Sequence, residues 1–201
     1  MGLNASALES DILEVFQSMT DDDDKVFSEG ISAAVKNFAE SGGIATADAG
    51  TVSAGVYAGA GSGGITVDAS VSEQIIHAAC VVMRNMTTGG NTYLAMQIAA
   101  GIHAMILTGE VETDVTGQVT PPGGLPVALN GSAAGTMTGV PLPMQTAFAN
   151  AYDAMDSMES GGDEYMAAQM ATAINTYMTT AVVATSGSGA LSGSVGAGAM
   201  A

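Results

Sequence analysis

Apolar residues recur at helical spacing in six stretches of this chain. The stretches come in pairs, and each pair is followed by a segment in which apolar and polar residues alternate. The spacing predicts helices over about 5–19, 25–41, 70–87, 91–108, 143–159 and 163–180. Ser6 and Glu9 form an S-x-x-E capping pattern at the first, and Pro143 suits the first turn of the fifth. Connectors of about four residues within each pair predict antiparallel helical hairpins. The alternating segments are 43–67, 109–139 and 182–200. In the middle one Val111, Thr113 and Val115 fall on one face and Glu110, Glu112 and Asp114 on the other. "TPPGGLP" (120–126) breaks it into two with a turn. Each segment reads as a short β-hairpin or extended arm, with flexible Gly/Ser linker as the alternative. Recurrence after every helix pair favours ordered arms, and abundant glycine predicts that they gain stability by pairing with strands of another unit or chain.

The three blocks also match one another. In one ungapped register Met19, Met86 and Met158 coincide, as do Phe16, Met83 and Met155 a turn earlier. In the second helix of each pair Val26, Tyr93 and Tyr165 coincide, then Ile31, Ile98 and Met170, then Val35, Ile102 and Ile174, with Ala34, Gly101 and Ala173 as a small position beside them. Beyond the helices Ile44, Val111 and Val183 coincide, followed by Thr46, Thr113 and Thr185. Self-similarity at a period of roughly 60–70 residues is a repeat signature. The expected fold is therefore α+β, with three tandem pseudo-repeats over 1–67, 68–140 and 141–201 packed as one domain. Each is an antiparallel helical hairpin followed by a Gly/Thr-rich β-hairpin or arm. A pseudo-threefold cluster and a linear stack both satisfy this pattern. The repeat-equivalent Met83, Met86, Met155, Met158 and Met170 are expected to fill the core.

The register also interprets "DDDDK" at Asp21–Lys25. This run matches a protease-site tag, and four carboxylates invite a calcium-loop reading. It occupies the place of "TGGN" (88–91) and "GGDE" (161–164), so a helix–helix turn with acids at a helix N-terminus is the simpler account. Calcium loops space their ligands around a central glycine, whereas consecutive Asp side chains do not project to one point.

Charge narrows the function. Three basic residues (Lys25, Lys36, Arg84) face twenty acidic ones, a net charge of −17. This argues against nucleic-acid binding, which needs phosphates neutralised, and against docking to an anionic membrane. No apolar run reaches the ~18–20 residues of a membrane span. The nearest, "YLAMQIAAGIHAMIL" (93–107), reads as a buried helix. The opening "MGLNAS" fits the loose myristoylation pattern without polybasic support, and the first residues lack the pattern of a signal peptide. The single cysteine, Cys80, leaves no intrachain disulfide.

Candidate chemistry is sparse. His77 and Cys80 stand three apart on one predicted helix and His103 on its partner, a set that could hold zinc with water as a fourth ligand. The equivalent positions are Ser10, Leu13 and Lys36 in the first unit and Ala149, Tyr152 and Asn175 in the third. A metal needed by the scaffold would recur in every unit, so a core cysteine and partly buried histidines are the preferred reading. "GAGSGG" (59–64) spells G-x-G-x-x-G but precedes a strand-like "ITV", not a helix, which removes the phosphate-binding context. No nucleophile elbow is present. The expectation is no catalytic, cofactor-binding or metal residue, and no enzyme.

"LNASALESDILEVFQSM", then "VFSEGISAAVKNFAESGGIAT", then Gly/Thr-rich β-arms, resembles in style the small virion structural proteins of tailed bacteriophages, those of contractile-tailed and marine phages above all. The resemblance implies a protein located in the virion, in capsid, neck, tail or baseplate, with no catalytic residues. Its partners would be other virion proteins and copies of itself in a large assembly, with no nucleic acid and no membrane. The alternative is a repeat-based binding or adhesion module that engages a ligand through its Gly/Thr loops.

Overall fold

The computed structural model, described for residues 2–19 and 24–201, is mixed α+β. The chain runs helix, helix, strand, strand three times: α1 (Ala5–Ser18), α2 (Asp24–Ser41), β1 (Ile44–Val52), β2 (Gly55–Thr66), α3 (Ala69–Met83), α4 (Gly90–Leu107), β3 (Glu110–Thr120), β4 (Val127–Thr138), α5 (Leu142–Met155), α6 (Gly162–Thr180), β5 (Val182–Gly187) and β6 (Ser194–Met200). A 3-10 turn, Gly189–Leu191, joins the last two strands.

Helix ends follow their caps. Asn4, not Ser6, caps α1: its Oδ1 accepts from the Ala7 N–H at 3.2 Å, which leaves Ser6 and Glu9 inside the helix. α3 and α5 stop at Met83 and Met155, a turn before the predicted 87 and 159. In both, a tight turn follows, with the N–H of Met86 donating to Met83 O and that of Met158 to Met155 O at 2.9 Å. Gly89 and Gly161 then enter α4 and α6 in the left-handed region, at φ 72° and 74°. Of the expected turn at Asp21–Lys25, residues 21–23 lie outside the described residues, and Asp24 and Lys25 open α2.

Each helix packs against its neighbours in sequence, and α6 returns against α1. Ile31, Val35, Ile98, Ile102, Met170 and Ile174 are all 0% exposed within this layer. Burying each such side chain stabilises the fold by about 1.5–3 kcal/mol. The small positions allow close approach: a Cβ on Gly101 would lie 3.2 Å from both Ser72 O and Ser72 Oγ on α3. The methionines divide. Met170 is fully buried and Met83 and Met155 pack at the edge of the core, but Met86 and Met158 are 38% and 40% exposed. These two are not core filler, because the early ends of α3 and α5 carry them out into the connectors.

The glycine-rich segments are ordered, but they are not separate arms. All six strands join one closed antiparallel barrel in the order β1-β2-β3-β4-β5-β6, with β6 pairing back onto β1. Closure pairs every strand on both sides, so the expected strand addition to a neighbouring chain has no full-length edge to use; 127–131 of β4 runs past its ladder with β5. Strand alternation divides the barrel lumen into layers. Ile44, Ile65, Val111, Met137, Val183 and Met200, one per strand, line the mouth under the helices and belong to the helical core. Val52, Tyr57, Val115, Val119, Ala133 and Leu191 form a second apolar cluster at the far end. Between the two lie the buried polar residues Thr46, Asp48, Thr113 and Thr185.

Candidate functional site

Strand periodicity that turns Ile, Thr and Val inward turns alanine outward. The register aligns these positions in rows. Ala60, Ala47, Ala197, Ala184 and Thr136 run side by side across β2, β1, β6, β5 and β4, and the next row is Ala58, Ala49, Val195, Ser186 and Ala134. All ten are exposed. Larger apolar side chains interrupt this smooth wall: Val56 is 64% exposed, Val182 57% and Val195 63%. Five strands spaced by ~4.8 Å span roughly 20–25 Å of arc. These five strands contain one charged residue, Asp48, and it faces the lumen. The sixth strand differs, since β3 sets Glu110, Glu112 and Asp114 in an exposed column. In a chain of net charge −17, the wall is thus an uncharged surface bordered by acid.

At the far end of the barrel the predicted Pro/Gly turn is present. The N–H of Gly124 donates to Pro121 O at 3.0 Å, with Pro122 leading and Gly123 at φ 71°. This is the pattern of a type II turn, which needs a positive φ at its third residue. Leu125 projects beside it, 84% exposed.

The lumen has its own geometry. Thr46 Oγ1 donates to Asp48 Oδ2 at 2.6 Å, and Thr185 Oγ1 to Asp48 Oδ1 at 3.4 Å. Tyr57 is 0% exposed, and its hydroxyl has no hydrogen-bond partner among the described residues. Burial first, and the Asp48 charge second, raise its pKa. The glycines of "GAGSGG" serve here. A Cβ on Gly59 would lie 2.3 Å from Tyr57 Oη, and one on Gly61 2.4 Å from Thr46 Oγ1. The motif is a strand made bare so that the Tyr57 hydroxyl on the same strand and Thr46 on β1 can fit.

A groove of about 560 Å³ opens between α5, α6 and the start of β5, lined by Val140, Pro143, Met144, Tyr177 and the threonines Thr172 and Thr176 among others, none of them charged. Tyr177 Oη lies 2.7 Å from His103 Nδ1, and burial raises the Tyr177 pKa to about 12.

The residues singled out for zinc do not converge. His77 is exposed on α3, Cys80 is buried, and His103 is turned to Tyr177 on α6. Among the described residues no group of three His, Cys, Asp or Glu side chains is placed to hold a metal ion. Burial, then the Asp24 charge, pushes the Cys80 thiol up to about 11, which makes it a poor nucleophile. No helix of the described residues is long and apolar enough to cross a membrane. Sequence reading missed Asp48 and Tyr57. The signal was present in "IATADAGTV", where Thr46 and Asp48 occupy the same alternate positions as Ile44 and Val52. Comparisons with protein-family models, with curated proteins and with solved structures find no match.

Proposed function

We propose that this chain is a non-enzymatic structural assembly protein of a virus particle, which meets copies of itself and other virion proteins face-on through the uncharged barrel wall. The wall is the observation that carries the reading. A chain with a large net negative charge repels its own copies wherever acids face one another. Interface cores are depleted of charge, and extended apolar patches on a surface mark contact sites. On this reading the three units, 1–67, 68–140 and 141–201, are tandem repeats clustered about a pseudo-threefold axis. Two features support the cluster over a linear stack: the helices and the strands both close into rings. Equivalent residues also play equivalent parts, as with Thr46, Thr113 and Thr185, all buried in the lumen.

The groove beside Tyr177 favours a second reading, a binding module for an uncharged apolar ligand. One experiment separates the two. The protein is purified from its native source and imaged by negative-stain electron microscopy, with mass spectrometry of whatever co-purifies. Regular copy number in a particle is the expected result. A small free species that stays monomeric at high concentration would reject the assembly reading and leave the groove as the site to test with ligands.

A further inference from the structure

The barrel lumen contains a buried acid with no basic partner among the described residues. Asp48 is 2% exposed and is the only charged side chain among the buried polar residues described. Its partners are two threonine hydroxyls. All three basic residues of the chain pair elsewhere: Lys25 with Glu29, Lys36 with Glu40 and Arg84 with Asp24, all in the helical layer. A buried carboxylate is costly unless it is paired or coordinates an ion.

A second, independent observation lies beside it. Tyr57 Oη is fully buried and lacks a partner among the described residues, and such orphaned groups call for an explanation. Its place is fixed by Gly59, whose ideal Cβ position lies 2.3 Å from Tyr57 Oη and whose Cα partner across the sheet is Asp48. The side-chain direction of Gly61 meets Thr46 Oγ1 at 2.4 Å, Asp48 Oδ2 at 3.0 Å and Thr113 Oγ1 at 3.1 Å. That of Gly196 meets Asp48 Oδ1 at 2.2 Å and Thr185 Oγ1 at 2.3 Å. Oxygens from Thr46, Asp48, Thr113 and Thr185 therefore gather against backbone that carries no side chain, and the Tyr57 hydroxyl lies beside Gly59, the residue that faces Asp48 across the sheet.

We propose that this belt binds one small monovalent cation of the sodium or potassium class, with the Asp48 carboxylate as its counter-charge and the threonine and tyrosine hydroxyls as neutral ligands. Hard cations take oxygen ligands, and hydroxyl and carboxylate oxygens are what the belt supplies. One carboxylate matches one positive charge, whereas a divalent ion would leave the lumen with an excess charge of opposite sign. Water would satisfy the Tyr57 hydroxyl but supplies no counter-charge to a carboxylate; a protonated Asp48 needs none, and it predicts no difference between salts. The ion sits between the two apolar clusters and ties β1, β2, β3 and β5 together.

The test is thermal unfolding of the full chain, refolded separately in sodium, potassium or choline chloride at one ionic strength so that the closed barrel forms around the ion present. An inorganic cation at a hundred times its dissociation constant is expected to raise Tm by about 5–10 °C over choline. Asp48→Asn should abolish the difference between salts, and Tyr57→Phe, which keeps the charge, should shift its midpoint to higher cation concentration. Equal Tm in sodium, potassium and choline overturns the proposal and leaves the carboxylate with hydroxyls or water alone. A salt difference that persists undiminished in Tyr57→Phe assigns the effect to surface acids and overturns it equally. Should Asp48→Asn fail to fold, crystals of the unaltered chain refolded in rubidium chloride decide: an anomalous peak beside Asp48 is expected, and its absence counts against the site.

Discussion

The helical layer and the barrel place charge in opposite ways. The helices bury Ile, Val, Met and Phe and turn acids to solvent. The barrel encloses Asp48 and a belt of threonines, while five of its six strands show solvent only alanine, valine and small polar residues. Core composition sets the stability of the first region. In the second it is backbone closure that holds the structure, because glycine and alanine bury little area. The two regions thus meet solvent differently: the helices cover a core of large side chains that the barrel mouth completes, and the barrel presents a wall of small uncharged ones.

The largest expected effect that would test this contrast is Ile98→Ala in α4. Ile98 is 0% exposed, and such truncation should cost about 2–5 kcal/mol, read from chemical denaturation. A loss under about 1 kcal/mol would mean the helical layer is not the stabilising half. Next comes alkaline pH. Folding raises the pKa of the Cys80 thiol to about 11 and that of Tyr177 to about 12. Between the ordinary pKa of each group and its raised value the unfolded chain binds fewer protons, so stability should fall as pH rises from about 9 to 12. Both groups belong to the helical layer, and burial raises the pKa of Tyr152 and Tyr57 as well, so Cys80→Ser with Tyr177→Phe should lessen the decline without removing it; an unchanged slope would place its origin elsewhere. At neutral pH Cys80 should resist iodoacetamide until the chain is denatured. Smaller again is Asn4→Ala, expected to cost about 0.5–2 kcal/mol through the lost cap, while Ser6→Ala costs less. The smallest stability effect is on the wall. Ala47→Lys should change unfolding free energy by less than about 0.5 kcal/mol and yet abolish self-association seen by light scattering. If association survives this change and Ala197→Asp alike, the wall is not the contact.

Much of the helical layer was legible because the 3.6-residue period speaks through large side chains: Ile31, Ile98 and Met170 announce both a face and a correspondence. The early ends of α3 and α5 were less visible, since Met86 and Met158 look apolar enough to extend the pattern although hydrogen bonding has already turned the chain. The strands were legible as alternation, clearest in β3, where Val and acids take turns. Closure was not legible. Which strand pairs with which depends on contacts between segments far apart in sequence, and alanine on an outward face reads the same as alanine in a linker. Asp48 was hidden for a related reason: its neighbours Thr185 and Tyr57 come from other strands, so no local spacing records the cluster.

The pairing of β6 with β1 also has a consequence in time. Ile44 is paired with Met200, so during vectorial synthesis β1 leaves the ribosome long before its second partner exists. At roughly 5–20 residues per second, the intervening stretch of about 150 residues takes ~8–30 s to make. Through that interval the nascent sheet carries an open edge, which alanine and glycine keep unattractive to other hydrophobic chains. Once the last strand docks, that edge is paired from Ile44 to Gly50, and the arrival of the final strand is the step that completes the barrel.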